Sequence, residues 1–273
     1  MRDRGRGVKA PGAARPFRRA LALLALAVLA GPVCAETVRV RAVLDGDTAL
    51  LADGRRVRYL GIDAPERGQP FSARALALNR ALTEGRAVRL QFDQRREDRY
   101  GRLLAYVYAG EEMVNERLVR EGLASVYLIP PNLLHGEALL GLQADAQAKR
   151  LGMWSLVPGP LKIATLQLEE EYVRVANVSR HPVDLAGYRL SDRAGRTYVF
   201  PSVLLRPGYA LTLLSGPGRD QRDPDGPVRL HWDAGRPVWS TRGDTAFLRA
   251  PDGRLIDRFD ARPRRAFPGR SRP

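Results

Sequence analysis

Arg58-Tyr59-Leu60-Gly61-Ile62-Asp63-Ala64-Pro65-Glu66, with Asp45-Gly46-Asp47-Thr48 shortly before it, is the stretch whose reading decides the fold. Apolar residues carry the later segment as far as Ile62; a carboxylate, a proline that cannot continue a ladder and a second carboxylate then follow. The pattern is a strand that stops on acids. Asp47 opens a neighbouring apolar run, and Asp53-Gly54 between the two runs is a strong hairpin signal, so Asp47 and Asp63 are expected to meet across one pair of strands. Acids gathered in this way repel one another unless a cation joins them.

Working outward, Val38, Val40 and Ala42 alternate with polar residues, Ala49 to Leu51 is a short apolar run, and Val57 to Ile62 follows the Asp-Gly turn. Phe71, Ala75, Leu78 and Leu82 recur at helical spacing and predict an amphipathic helix ending near Gly85. Val88 to Phe92 and Leu103 to Tyr108 read as further strands, Val114 to Glu121 as a short helix, and Asn132 as the cap of a longer helix that stops at Gly152. Five short strands with a helix after the third and helices at the end predict a small barrel of the oligonucleotide-binding (OB-fold) type.

At the N-terminus, residues 1–19 carry seven Lys/Arg against Asp3; Ala20 to Ala30 is unbroken Ala, Leu and Val, and Val33-Cys34-Ala35 supplies small residues before Glu36. This reads as a secretory signal peptide over residues 1–35, so the protein is expected to be exported to the periplasm or the medium. The apolar run is too short for a stable span, and no later stretch approaches the ~20 residues a spanning helix needs. Cys34, the only cysteine, precedes the expected cut, so the mature chain is expected to lack a disulfide. The net charge of +15 invites a nucleic-acid reading, but it sits at the ends. Residues 36–156 hold 18 basic and 16 acidic residues, and five arginines of the C-terminal excess lie in residues 262–273. The charge alone therefore supports no such claim. Almost every basic residue is Arg, with Lys9, Lys149 and Lys162 the exceptions.

Val157-Pro158-Gly159-Pro160 breaks the pattern and predicts a linker over residues 157–161. Beyond it, Tyr172 to Ala176, Tyr188 to Leu190, Tyr198 to Phe200, Ala210 to Leu214, Thr245 to Arg249 and Leu255 to Phe259 are short strand-like runs between turns, with no long helical pattern. An antiparallel, immunoglobulin-like β-sandwich is expected over residues 162–261, followed by a disordered basic tail at 262–273. Asp184, Asp192 and Asp244 read there as turn and cap residues, and His231, Trp232 and Trp239 as packing. The fold class is thus mainly β with some α, a five-stranded barrel with three helices and then a sandwich.

Residues 37–155 resemble the staphylococcal nuclease (thermonuclease) family. Val43 to Thr48 resembles its first acidic motif, Arg58 to Glu66 its second, and Asp98-Arg99-Tyr100-Gly101-Arg102-Leu103-Leu104-Ala105-Tyr106 its third; Met113-Val114-Asn115 and Ala146 to Trp154 resemble its later helices. Several linked motifs in order are far more specific than any one alone. Glu171-Tyr172-Val173, Val183 to Tyr188, Leu205-Arg206-Pro207-Gly208 and Gly243 to Ala246 resemble the lamin-tail domain, a module whose ligand the residues do not name.

The resemblance implies a calcium-dependent, sugar-nonspecific nuclease that hydrolyses DNA and RNA to 3′-phosphate ends, acting as a monomer. It implies that Asp47 and Asp63 bind Ca2+ directly with the backbone carbonyl of Ala64, where the family usually has Thr, and that Asp45 supports them. Glu66 would orient or deprotonate the attacking water, and Arg58 and Arg102 would grip the phosphate. Tyr100 and Tyr127 match positions that contact nucleotide, although the segment after Tyr127 is one residue short and lacks a second tyrosine. Apart from the resemblance, an all-oxygen cluster suits calcium or magnesium; three scattered histidines and no mature cysteine disfavour a zinc site. The rival readings are a nucleic-acid-binding barrel without catalysis and a cell-envelope interaction protein in which the sandwich dominates.

Overall fold

The structure, a computed structural model, describes residues 35–156, 159–223 and 227–263. The expected signal peptide up to Cys34, Val157-Pro158 of the expected linker and the tail beyond residue 263 lie outside the described residues.

β1 (Ala35–Val43), β2 (Thr48–Leu51) and β3 (Arg56–Tyr59) form an antiparallel meander, with Gly54 at φ 90° in the β2–β3 turn as the Asp-Gly pair requires. β4 (Ile62–Asp63) and α1 (Ser72–Thr83) follow, then β5 (Ala87–Gln91), β6 (Leu103–Ala109) and the short β7 (Glu112–Met113). The strand order is β3-β2-β1-β5-β6, and β6 pairs with β3 in parallel, closing a five-stranded barrel. β1 pairs with β5 through Ala35 to Arg39 and with β2 from Val40 onward. A register shift between Val40 and Ala42 bends the strand where it changes partner. Val40, Leu51, Val57, Tyr59, Leu90 and Val107 fill the interior.

α1 closes one end, and it does so with a polar residue. Asn79 is fully buried: its Oδ1 accepts from the Tyr59 hydroxyl at 2.9 Å, and its Nδ2 donates to the carbonyls of Asp45 at 3.1 Å and Gly46 at 3.3 Å. The amide thereby fastens the Asp45-Gly46-Asp47 turn to the barrel. Gly46 is required there, because a Cβ at this position would lie 2.5 Å from the Ala64 Cβ and 2.8 Å from the Ala75 Cβ.

α2 (Val114–Arg120), β8 (Ser125–Val126) and α3 (Gly136–Ala148) complete the barrel domain, with a 3₁₀ turn at Gly152–Leu156. Asn132 does not cap a helix as expected, since α3 begins only after His135. Asn132 is buried and pairs with both backbone groups of Arg95, accepting from its N–H at 2.7 Å and donating to its carbonyl at 2.8 Å. Satisfying both backbone groups of Arg95 outweighs a single cap bond.

In the second half, β9 (Leu161–Gln167), β10 (Tyr172–Asn177), β11 (Val183–Asp184), β12 (Arg189–Ser191), β13 (Thr197–Val199), β14 (Leu204–Leu205), β15 (Ala210–Leu214), β16 (Val228–His231), β17 (Asp244–Arg249) and β18 (Leu255–Ala261) form the sandwich. One sheet runs β16-β15-β10-β9, the other β13-β12-β17-β18, and β11 pairs with β14. Ile163, Val173, Leu190, Leu211, Leu248 and Trp239 are among the residues packed between them. Asp184, Asp192 and Asp244 accept backbone N–H groups in turns, from Ala186, Arg196 and Ser240 respectively. Sequence reasoning missed β9 and β16. β9 starts at Leu161, a residue expected in the linker, and Leu161 is buried in the sandwich core.

Barrel and sandwich lie in one compact unit. The Leu128 N–H donates to the Gly208 carbonyl at 2.7 Å, the Gln143 and Gln147 amides on α3 both donate to the Val178 carbonyl, and Val178 packs with Ala146 and Trp154. Backbone groups of one half are thus satisfied by the other. Calorimetric heating of the chain should therefore give one cooperative transition, and two separated peaks would show that the halves melt independently. Asn79→Ala should lower stability by about 2 kcal/mol in urea unfolding, because it removes the side-chain donor of the Asp45 and Gly46 carbonyls and one of the two partners of the Tyr59 hydroxyl; a loss within error would deny the amide its anchoring role.

Candidate active site

The acid-bearing turn is built from its own backbone. Asp45 accepts the Asp47 N–H at 3.0 Å, and the Asp47 carbonyl accepts the Tyr59 N–H at 2.8 Å, so the turn is laced to β3. One Asp47 carboxylate oxygen accepts the Ala64 N–H at 2.7 Å and the other accepts the Thr48 hydroxyl at 3.1 Å. Those bonds tie together the two segments that carry the acids. Both Asp47 and Asp63 are buried.

Arg58 joins them. Its Nη1 lies 3.0 Å from Asp47 Oδ2 and its Nη2 lies 3.3 Å from Asp63 Oδ1, while Nη1 donates to the carbonyls of Tyr59 and Ile62, each at 2.9 Å. Burial works against the Arg58 charge, but the carboxylates of Asp47 and Asp63, then Asp45 and Glu66, outweigh it and raise its pKa. Asp47 is pushed well above the usual carboxylate range, first by burial; Arg58 pulls it down, while Asp45 and Asp63 push it further up. Added positive charge is what would keep it ionised.

Glu66 stands at the exposed rim, its N–H bonded to the Gln69 side chain at 2.8 Å. Protein crowded behind the carboxyl raises its pKa, and Asp63 and Asp45 raise it again; Arg58 and Lys162 act in the opposite sense.

Arg102 is placed differently. The parallel register sets Arg58 opposite Leu104, and strand alternation carries Arg102, two residues earlier, towards the same face. Its Nε, however, donates to Asp98 at 2.6 Å, and its guanidinium lies 5.7 Å from the Tyr100 ring centroid. Asp47, Asp63, Arg58 and Glu66 therefore gather, with Asp45 beside them, and Arg102 is bonded to Asp98.

The two tyrosines also differ. Tyr100 keeps 39% of its surface exposed, but its hydroxyl donates to Glu170 at 2.7 Å, and Arg99 bonds both groups. Burial of the hydroxyl and then Glu170 push its pKa up to about 12. Tyr127 is buried: its ring packs with Ala164 and Ala176 of the sandwich, and its hydroxyl bonds to Arg174. Against the expectation of a nucleotide contact, a ring covered in this way has no face for a base.

Sequence reasoning missed Lys162. Its Nζ lies 2.5 Å from Asp63 Oδ2 and 3.1 Å from the Ser125 hydroxyl, and Ser125 sits opposite Asp63 in the β4–β8 pair. The one available signal was compositional, a rare lysine in a chain of arginines.

Among the described residues, no group of three or more His, Cys, Asp or Glu is gathered closely enough to hold a metal ion by itself. Asp47 and Asp63 supply hard carboxylate oxygens beside the Ala64 backbone. That donor set fits calcium or magnesium in kind, provided water, a carbonyl or a phosphate oxygen fills the remaining positions.

The family described as staphylococcal nuclease homologue matches residues 56–156, and the lamin tail domain matches residues 156–262. A thermonuclease of Staphylococcus intermedius is 38% identical over 128 residues, 44% of this chain and 76% of that protein. An uncharacterized endonuclease of Escherichia coli O157:H7 is 39% identical over 138 residues, 48% of this chain and 87% of that protein, and endonuclease YncB of Bacillus subtilis (strain 168) is 37% identical over 123, 41% and 58% respectively. With its acids and Arg58 on a closed barrel and a lamin-tail sandwich behind, the chain belongs to the staphylococcal nuclease family.

Proposed function

We propose that this chain is an exported, divalent-cation-dependent nuclease that hydrolyses phosphodiester bonds of both DNA and RNA, with calcium as its ion and 3′-phosphate ends as its products. The observation that carries the reading is the Asp47–Arg58–Asp63 bridge with Glu66 at its rim. Family membership supports the nuclease class, and the basic, apolar leader in the sequence supports export.

Cleavage of a phosphodiester requires an activated water, neutralisation of charge building on phosphorus-bound oxygens, and stabilisation of the departing oxygen. A bound divalent cation held by Asp47 and Asp63 would supply Lewis-acid neutralisation of a phosphate oxygen. The chain's own groups do the rest. Arg58 is fixed by two backbone carbonyls and two carboxylates, so it enters the reaction already oriented, and the Nε hydrogen not used in those contacts is left for a phosphate oxygen. Glu66, exposed and with a raised pKa, holds or takes a proton from water at its carboxylate. Arg102 reaches the phosphate by exchanging its bond to Asp98, and Tyr100 lies beside it as the exposed aromatic surface. The family resemblance supports a sugar-nonspecific enzyme acting as a monomer.

The purified chain should degrade single-stranded DNA in calcium and stop when a chelator is added. Continued cleavage in chelator would remove the cation from the mechanism. Glu66→Gln and Arg58→Ala should each slow turnover by about 100-fold or more at unchanged substrate affinity for the former. Full activity in Glu66→Gln would transfer the water-activating role elsewhere.

A further inference from the structure

Lys162 belongs to the sandwich, yet its charge is spent on the barrel. It is the second residue of β9, between Leu161 and Ile163, both buried in the sandwich core. Strand alternation sends its side chain the opposite way, out of that core and onto Asp63 and Ser125. The backbone beneath it is fixed: Lys162 pairs with Ala176 of β10, and the Ile163 N–H donates to the Asp257 carboxylate at 2.7 Å. The side chain keeps 17% of its surface exposed, and the sandwich that carries it is bonded to the barrel at Leu128, Gln143 and Gln147. This is not a free surface lysine that happens to swing past an acid.

The residue type is also informative. In a chain with three lysines and 42 arginines, the position facing Asp63 is one of the three. An ammonium is a compact point charge that can sit between one carboxylate oxygen and one hydroxyl; a guanidinium fork demands two coplanar acceptors. Here Arg58 already takes Asp63 Oδ1, and Lys162 takes Oδ2.

We infer that Lys162 is a positioning residue of the active site, supplied by the lamin-tail domain, which orients Asp63 and sets how strongly the acid cluster holds a divalent cation. The inference rests on the cation-site reading above. Asp45, Asp47, Asp63 and Glu66 place four carboxyl groups around Arg58, and Lys162 adds a second positive charge directly on an oxygen that a cation would use. A divalent ion approaching Asp63 meets that ammonium at a few ångströms, where like charges repel strongly in a half-buried site. The sandwich thereby makes the enzyme demand more calcium than the barrel's acids alone would.

The test is calcium binding to the full chain without nucleic acid, measured by isothermal titration. Lys162→Met keeps the aliphatic stem and removes the charge, so it should bind calcium at least tenfold more tightly than wild type at an unchanged melting temperature. Asp63→Asn should abolish binding. Calcium binding seen only in Lys162→Met also supports the assignment. If wild type binds, Asp63→Asn does not, and Lys162→Met matches wild type, Lys162 is a passive neighbour and the inference falls while the cation site stands. If neither wild type nor Lys162→Met binds calcium, the cation-site reading falls and takes the inference with it. Should Lys162→Met fail to fold, Lys162→Gln is read by the same criteria.

Discussion

Two buried carboxylates a few ångströms apart are unstable company unless positive charge lies between them, and the structure is arranged to put it there. Arg58 on β3 spans Asp47 and Asp63, and its own position is set by the carbonyls of Tyr59 and Ile62. The barrel exists, in this sense, to hold one guanidinium between two acids that come from different segments. Closure through the parallel β3–β6 pair fixes the strand that carries it, and Asn79 fixes the turn that carries one of the acids. Polar groups buried in this way are tolerated because each one is satisfied, and each therefore specifies a single arrangement.

The sandwich changes the meaning of the barrel's surface. Viewed as an isolated domain, the barrel would offer Tyr100, Tyr127 and Asp63 to solvent. In the whole chain all three meet sandwich residues: Glu170, Ala164 with Ala176, and Lys162. Residues from β9, β10 and the turn between them therefore form one wall of the site.

Much of this was legible in the sequence, and the limits have physical causes. The barrel strands were readable because alternation and the Asp-Gly turn are local signals; the same turn led to the expectation that Asp47 and Asp63 meet, while Arg58 was singled out by the family resemblance. The burial of Tyr127 was not readable, because nothing within a few residues of it records that Ala164 and Ala176 will cover its ring. Lys162 stayed hidden for the same reason: 99 positions separate it from Asp63, and only the docking of two domains brings them together. Asn132 misled because its residue type suits a helix start, while the backbone of Arg95, distant in sequence, had a stronger claim on its amide. β16 was missed because it joins its sheet by a parallel pairing with β15, which leaves no hairpin turn to announce it.

Gly46 gives the active site its gauge. The missing side chain lets the Asp45–Asp47 turn lie against Ala64 and Ala75 at a separation that no Cβ would permit. A single methyl group there would act as a wedge, prising the two acid-bearing segments apart and leaving Arg58 too short to touch both. The spacing of the charges is thus governed by the one uncharged residue of the turn.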